Sequence, residues 1–279
     1  MYNKENPLRV ATLCSGYDAM CLALNRLKCD YPDFDYELVS WSEYDPESKA
    51  PLEKQPAVIA HNALFPQWKD RNWGDMTKID WEKFPDCDLL FYSTPCQSIS
   101  QAGLQHGFTE GSGTRSSIIW NVRDAVKIKR PKFLCLENVA AMISSKFVGM
   151  FNLWQKELEK LGYRNFAQIL DSRDYGVAQH RPRIFLVSIR VDDEDNPPKF
   201  YFPKPFPLEK RLKDYLEDEV DEKYYLSDER VQGLITSTQK ESERGNGFAW
   251  KPTDGSSVAC AITMTQNRKT DNYLFDTDE

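Results

Sequence analysis

Three short segments carry residue types able to do covalent chemistry. In Ser93-Thr94-Pro95-Cys96-Gln97 a cysteine sits just past a short apolar run and behind a proline, where a nucleophile would be exposed. Taken alone, a free cysteine is more often a small buried hydrophobe. Leu136-Glu137-Asn138-Val139 puts a carboxylate at the end of a second apolar run, on the same sheet edge as Cys96 if the two strands are neighbours. An acid there can also simply cap a helix. Gln179-His180-Arg181-Pro182-Arg183 enters a third run with two arginines at alternating positions, which point the same way in an extended chain. An exposed pair is the plainer reading of those two. Together the three segments would join a nucleophile to an acid–base group. The stretch from Ser98 to Arg115 is long, polar and contains Gly103, Gly107, Gly111 and Gly113, the composition of a lid or binding loop.

The elements that must position these residues read as alternating strands and helices. Leu8 to Leu13 predicts a strand, Cys14-Ser15-Gly16 a tight turn, and Met20, Leu22, Ala23, Leu24 and Leu27 an amphipathic helix. Tyr36 to Trp41 predicts a second strand ending in Ser42-Glu43, after which Asp45-Pro46 offers an N-cap and a proline at a first helical position. Asp88 to Tyr92 and Phe133 to Leu136 are nearly continuous apolar runs, expected of parallel strands buried on both faces. Helical patterns span 116–129 and 146–161, and strand-like runs follow at Asn165 to Leu170 and Arg183 to Ile189. This order predicts a doubly wound α/β sheet with helices on both faces and its site at the carboxyl ends of the strands.

At Val191 the composition changes to an acidic run and a stretch rich in proline. We expect a catalytic, cofactor-binding domain over 1–190, a small recognition region over 191–260 with a short acidic helix near Lys210 to Glu222, and a partial return to the first domain over 261–279. Thr236 to Ser257 is rich in Ser, Thr and Gly.

The 279 residues are 41% hydrophobic and 28% charged, ample for a buried core. Mean hydropathy is −0.62, and no apolar stretch approaches the ~18 residues needed to cross a bilayer. No signal-peptide pattern opens the chain. Seven scattered cysteines, an odd number without metal-type pairs, suit a reduced, cytosolic protein without a metal centre. The net charge is −7, with 7 basic and 13 acidic side chains in 191–230 and 5 and 7 in 231–279, so the first 190 residues are close to neutral. Nucleic-acid contact would be local, made by a few Arg and Lys.

Taken jointly and in order, Thr94-Pro95-Cys96-Gln97, Glu137-Asn138-Val139, Asp174-Tyr175-Gly176 and Gln179-His180-Arg181-Pro182-Arg183 resemble the motifs of DNA (cytosine-5) methyltransferases over about residues 8–190. The resemblance implies a Rossmann-like domain that uses S-adenosyl-L-methionine to methylate C5 of a cytosine flipped out of double-stranded DNA, in the restriction-modification or phage-borne setting of a bacterial or phage-infected cytoplasm. It makes Cys96 the thiolate that adds at C6, Glu137 the carboxyl at N3, Arg183 a contact to cytosine O2 and Arg181 a support for the catalytic loop. In the loop, Gln97 precedes Ser100, which resembles a phosphate contact, and Arg115 resembles an arginine that orders the closed site. For the cofactor the resemblance implies Gly16 under the ligand, Glu43 at the ribose, Tyr44 stacked on adenine, Asp75 at the adenine amine and Pro95 lining the cleft. Cys14, Asp18 and Ala19 depart from the family's aromatic and two further glycines around Gly16. A tRNA cytosine-5 methyltransferase and a non-catalytic binding remnant share these motifs. A nicotinamide dehydrogenase is disfavoured because no Gly-x-Gly-x-x-Gly follows the first strand.

The family's closing Gly-Asn-Ser-Val-like segment and helix have no counterpart here, and Ala261 to Thr265 resembles only the start of that return. We expect the isolated chain to bind cofactor weakly unless a second chain supplies the segment. Leu22, Leu24 and Leu27 are the expected exposed apolar surface.

Overall fold

Along the first strand, β1 (Leu8–Leu13), the side chains divide by alternation: Leu8 and Val10 enter one apolar cluster, Ala11 and Leu13 another. In this computed structural model, which describes residues 2–95, 115–243, 253–261 and 273–274, each cluster is completed by a pair of helices. Helices α1 (Ala19–Asp30) and α2 (Pro56–Leu64) bring Cys21, Leu24 and Val58 to the Leu8 and Val10 side. On the other side, α3 (Ile119–Lys129) and α4 (Val148–Lys160) bring Trp120, Val122, Val126, Phe151, Trp154 and Leu158. The sheet is thus covered on both faces, as expected of an α/β fold. Leu24 is buried, whereas Leu22 and Leu27 are exposed.

The remaining large-sheet strands are β2 (Tyr36–Ser42), β3 (Leu89–Tyr92), β4 (Phe133–Val139), β5 (Tyr163–Asp171) and β7 (Pro182–Arg190), and their order is β2-β1-β3-β4-β7-β5. β1 pairs in parallel with β2 and β3, and β3 with β4, but β7 runs antiparallel to β4. The sheet is therefore mixed, not parallel throughout. The apolar period of β7 is the same in either direction, so its sequence does not show the reversal. The chain order changes direction between β1 and β3, and open α/β sheets build their clefts beyond the strand ends at such a point.

The helix expected at Asp45-Pro46 is absent. Asp45 instead accepts from the Glu47 N–H at 3.0 Å and gives its own N–H to Gln55 Oε1 at 2.8 Å, a turn closed by side chains. The helix in this region begins at Pro56, where a proline at the first position is compatible with helix geometry.

The chain forms two compact units: residues 1–169 with 183–202, and residues 170–182 with 203–279. In contrast to the boundary drawn from composition, 191–202 belong with the sheet, and the segment 170–182 belongs with the second unit. Within that second unit β6 (Gln179–His180) pairs in parallel with β8 (Ala259–Cys260). Asp171 accepts from His180 Nδ1 at 2.6 Å and from the Arg181 N–H at 2.9 Å. The acidic helix expected near 210–222 is replaced by 3-10 turns at Leu212–Tyr215 and Glu222–Tyr224. Asp214 and Asp218, and likewise Asp218 and Glu222, would stand four apart on a helix and repel. A regular helix, α5 (Asp228–Glu243), forms instead, with acids in its first turn, Lys240 in its last and Leu234 buried. Its second half lies in the segment rich in Ser, Thr and Gly that begins at Thr236.

Candidate active site

The last backbone pair between β3 and β4 is Tyr92 with Leu136. Beyond it the two chains stay together through side chains. Ser93 Oγ donates to Glu137 Oε2 at 2.8 Å, and Asn138 Nδ2 donates to the Thr94 carbonyl at 3.0 Å. Asn138 and Thr94 are both buried, and Asn138 Oδ1 also accepts from the Val139 N–H at 2.9 Å. Ser93 is fixed in turn by its N–H to Leu13 O at 3.2 Å, which ties this arm to the end of β1. The strand ends that carry Glu137 and Pro95 are held by three independent bonds.

Arg183 reaches the same carboxyl from β7. Its Nε lies 3.0 Å from Glu137 Oε1, and both side chains are partly buried at 21% and 22% exposure. The reversal of β7 makes this possible, because Arg183 near its start pairs with Val139 near the end of β4. Arg181 lies outside β7, in the second unit, with its side chain exposed. Of the two arginines only Arg183 is part of β7. Cys96, Gln97 and Ser100 lie outside the described residues. Arg115 starts a 3-10 turn, Arg115–Ile118, that leads into α3, where the loop was expected to rejoin helix.

Of the expected cofactor residues, Gly16 follows the end of β1 and Glu43 and Tyr44 that of β2, while Pro95 follows β3. The Gly16 N–H donates to Glu43 Oε2 at 2.7 Å. Gly16 has φ +58, and a Cβ built on it meets nothing within 4 Å, so the space over the turn is open. Burial raises the Glu43 carboxyl above the ordinary range, against the N–H groups of Gly16 and Tyr44 that favour its charged form. Burial also drives the Cys14 thiol far up, with Glu43 and Asp75 adding to the effect, so those carboxylates share its surroundings. Cys14 donates to Met76 Sδ at 3.4 Å. Asp75 caps the turn Met76–Lys78 by accepting from Thr77 N and Oγ1 at 3.0 and 2.7 Å. Although burial pushes its carboxyl up, these bonds and Lys78 hold it below the usual range. Tyr44 is 37% exposed, with Lys78 Nζ 5.8 Å from its ring centre.

Two positions without an assigned role in the sequence reading build this edge. Asn72 Oδ1 accepts from the N–H groups of Glu43 at 3.1 Å and Gly74 at 2.9 Å, joining the two loops that carry the expected cofactor acids. Asp18, one of the departures from the family pattern, has φ 64, a conformation more easily taken by glycine. Its carboxylate accepts from Thr12 Oγ1 at 2.8 Å and from the Cys21 N–H at 3.2 Å, capping α1. An aspartate tolerates the left-handed region better than most residues and here supplies the cap as well.

Residues 8–276 match the family described as C-5 cytosine-specific DNA methylase. The chain is 42% identical over 162 residues to the type II methyltransferase M2.ScrFI of Lactococcus lactis subsp. cremoris, a match covering 58% of this chain and 44% of that protein. It is 30% identical over 298 residues to the orphan methyltransferase M.Rho11sI of Bacillus phage rho11s, covering 97% and 56%. The chain thus spans about half the length of these curated relatives. The crystal structure of the S. pombe Dnmt2 methyltransferase has a TM-score of 0.66 at 19% identity, covering 98% of this chain and 77% of that one, a likeness of fold. With a family match running from the first strand almost to the last residue, on an α/β sheet that brings Glu137 and Arg183 together, the chain belongs to the C-5 cytosine-specific DNA methylases.

Proposed function

We propose that this chain carries the catalytic machinery for methylating C5 of cytosine in double-stranded DNA, with Cys96 as nucleophile. The observation that carries the reading is the Glu137 carboxyl held between Ser93 and Arg183, beside the Thr94-Pro95 arm that leads to Cys96. Cytosine C5 is a weak nucleophile until a thiolate adds at C6 and turns the ring into an enamine. Cys96 forms that bond, and Glu137 gives a proton to N3 as negative charge develops there. Arg183 fixes the carboxyl and contacts the cytosine O2. After methyl transfer a base removes the C5 proton, the bond to C6 breaks, and the thiolate of Cys96 is released. The cytosine must leave the helix to reach these groups, and Gln97, Ser100 and Arg115 are the residues we assign to contacts with the DNA.

The chain's residues fit S-adenosyl-L-methionine as cofactor: the turn over Gly16 is open, and a desolvated carboxylate stands beside it at the end of β2. Gly16, Glu43, Tyr44, Asp75 and Pro95 are the residues that would hold it. When bound, it supplies an electrophilic methyl group. We assign catalysis and cofactor binding to the first unit and target recognition to the second. The matched part is about half of each relative's length, and we also propose that a second chain supplies a segment that completes the cofactor cleft. Among the described residues no helix is long and apolar enough to cross a membrane.

Bisulfite sequencing of DNA from cells expressing the chain tests the reading. Methylated cytosines in a fixed sequence context are expected. Label transferred to tRNA and not to DNA would move the substrate to RNA, and transfer to neither, even with an added C-terminal segment, would leave a binding remnant.

A further inference from the structure

We propose that the two oxygens of Glu137 have separate duties, Oε1 held by Arg183 and Oε2 carrying the exchangeable proton, and that Ser93 is the positioning residue that governs Oε2. This rests on the reading of Glu137 as the carboxyl that meets the base. A guanidinium donates only and keeps its charge, so Arg183 Nε at 3.0 Å favours negative charge on Oε1 and disfavours a proton there. A hydroxyl donates, accepts and rotates. Ser93 Oγ, 2.8 Å from Oε2, therefore donates while Glu137 is a carboxylate, and can turn to accept or swing aside once Oε2 is protonated.

Ser93 can govern this exchange because its backbone is tied to the sheet. Its N–H is bonded to Leu13 O at 3.2 Å, and the next peptide is fixed by Asn138. Among the described residues, the charged and titratable groups beside Glu137 include Arg183 from β7 and Cys135 on its own strand, and Ser93 adds a neutral dipole from the end of β3. The proton inventory closes. Oε2–H passes to N3 as the Cys96 sulfur gives its electron pair to C6. On elimination the pair returns to sulfur, N3–H returns to Oε2, and the C5 proton leaves to a base.

The test has a spectroscopic arm that does not depend on turnover. Carboxyl carbon NMR of the full chain, with Glu137→Gln to assign the signal, follows the Glu137 titration in wild type, Ser93→Ala and Ser93→Thr. Removing a donor that favours the carboxylate should raise its proton affinity about tenfold in Ser93→Ala, whereas Ser93→Thr, which keeps the hydroxyl, should stay near wild type. With labelled cofactor and DNA, supplying the C-terminal segment if required, kcat of Ser93→Ala should fall about tenfold and its alkaline limb move to higher pH, with the KM for DNA unchanged. An unmoved Glu137 titration in Ser93→Ala overturns the proposal, as does Ser93→Thr behaving like Ser93→Ala. Full activity in Glu137→Ala would instead overturn the functional reading on which it rests.

Discussion

The Asn138 side-chain amide donates to the Thr94 carbonyl at 3.0 Å, both residues being buried, and so takes over where backbone pairing between β3 and β4 ends. Asn138→Ala should leave that buried carbonyl without this partner and destabilise the protein by about 1–3 kcal/mol. Urea titration measures this. Trapping on 5-fluorocytosine DNA should slow as well, because the peptide leading to Cys96 loses its anchor. Equal stability of the variant and wild type would mean that the bond contributes nothing net.

Cys96→Ser should abolish both methyl transfer and the covalent complex with 5-fluorocytosine DNA. Serine oxygen is a much poorer nucleophile near neutral pH than a thiolate. Affinity for S-adenosylhomocysteine by calorimetry should be retained, since the residues assigned to the cofactor lie largely on other strand ends. A denaturant-resistant adduct from the serine variant would remove Cys96 from the mechanism.

Glu43→Gln should exchange stability for binding. Burial raises this carboxyl in the folded protein, so the folded state holds the proton more tightly than the unfolded chain. Stability contributed by the group is then present below the ordinary carboxylate range and falls as pH rises through the raised folded value. The glutamine variant lacks this loss. Its melting temperature should exceed that of wild type at pH 7 and converge with it in acid, while affinity for S-adenosylhomocysteine drops by about 1–3 kcal/mol. A melting difference independent of pH would show that the carboxyl's ionisation is not the cause.

Asp18→Ala should cost about 1–2 kcal/mol through the lost cap of α1, with further strain from φ 64. Asp18→Asn should remain closest to wild type, because it keeps both the cap and the tolerance of the left-handed region. Asp18→Gly separates the two effects by comparison, since it loses the cap as Asp18→Ala does but takes φ 64 without strain. Thermal unfolding ranks the three, and an alanine variant as stable as the asparagine one would contradict the account.

The elements that sequence reveals well here are those whose apolar runs are bracketed by turns, such as β1, β3 and β4 with α1 and α3. Their types follow from local pattern. Asp45-Pro46 misled because an Asp-Pro pair suits an Asx turn as well as a helix start, and only Gln55, ten residues on, decides between them. Glu137 and Arg183 were legible as candidates, but their contact depends on the direction of β7. Ser93 was invisible as a functional position, since a serine past a strand is ordinary until the register of β3 on β4 places it opposite a carboxylate.

The reversed strand has a consequence for how such a protein can change. Arg183 is pinned by its place opposite Val139 and by its bond to Glu137, so its position does not depend on the length of chain that precedes it. The segment before it keeps ties of its own, in the bonds of His180 and Arg181 to Asp171. A one-residue slip inside β7 would instead turn it to the opposite face. A protein engineer grafting a new specificity is therefore most constrained after Pro182, where one residue added or removed takes the arginine away from Glu137.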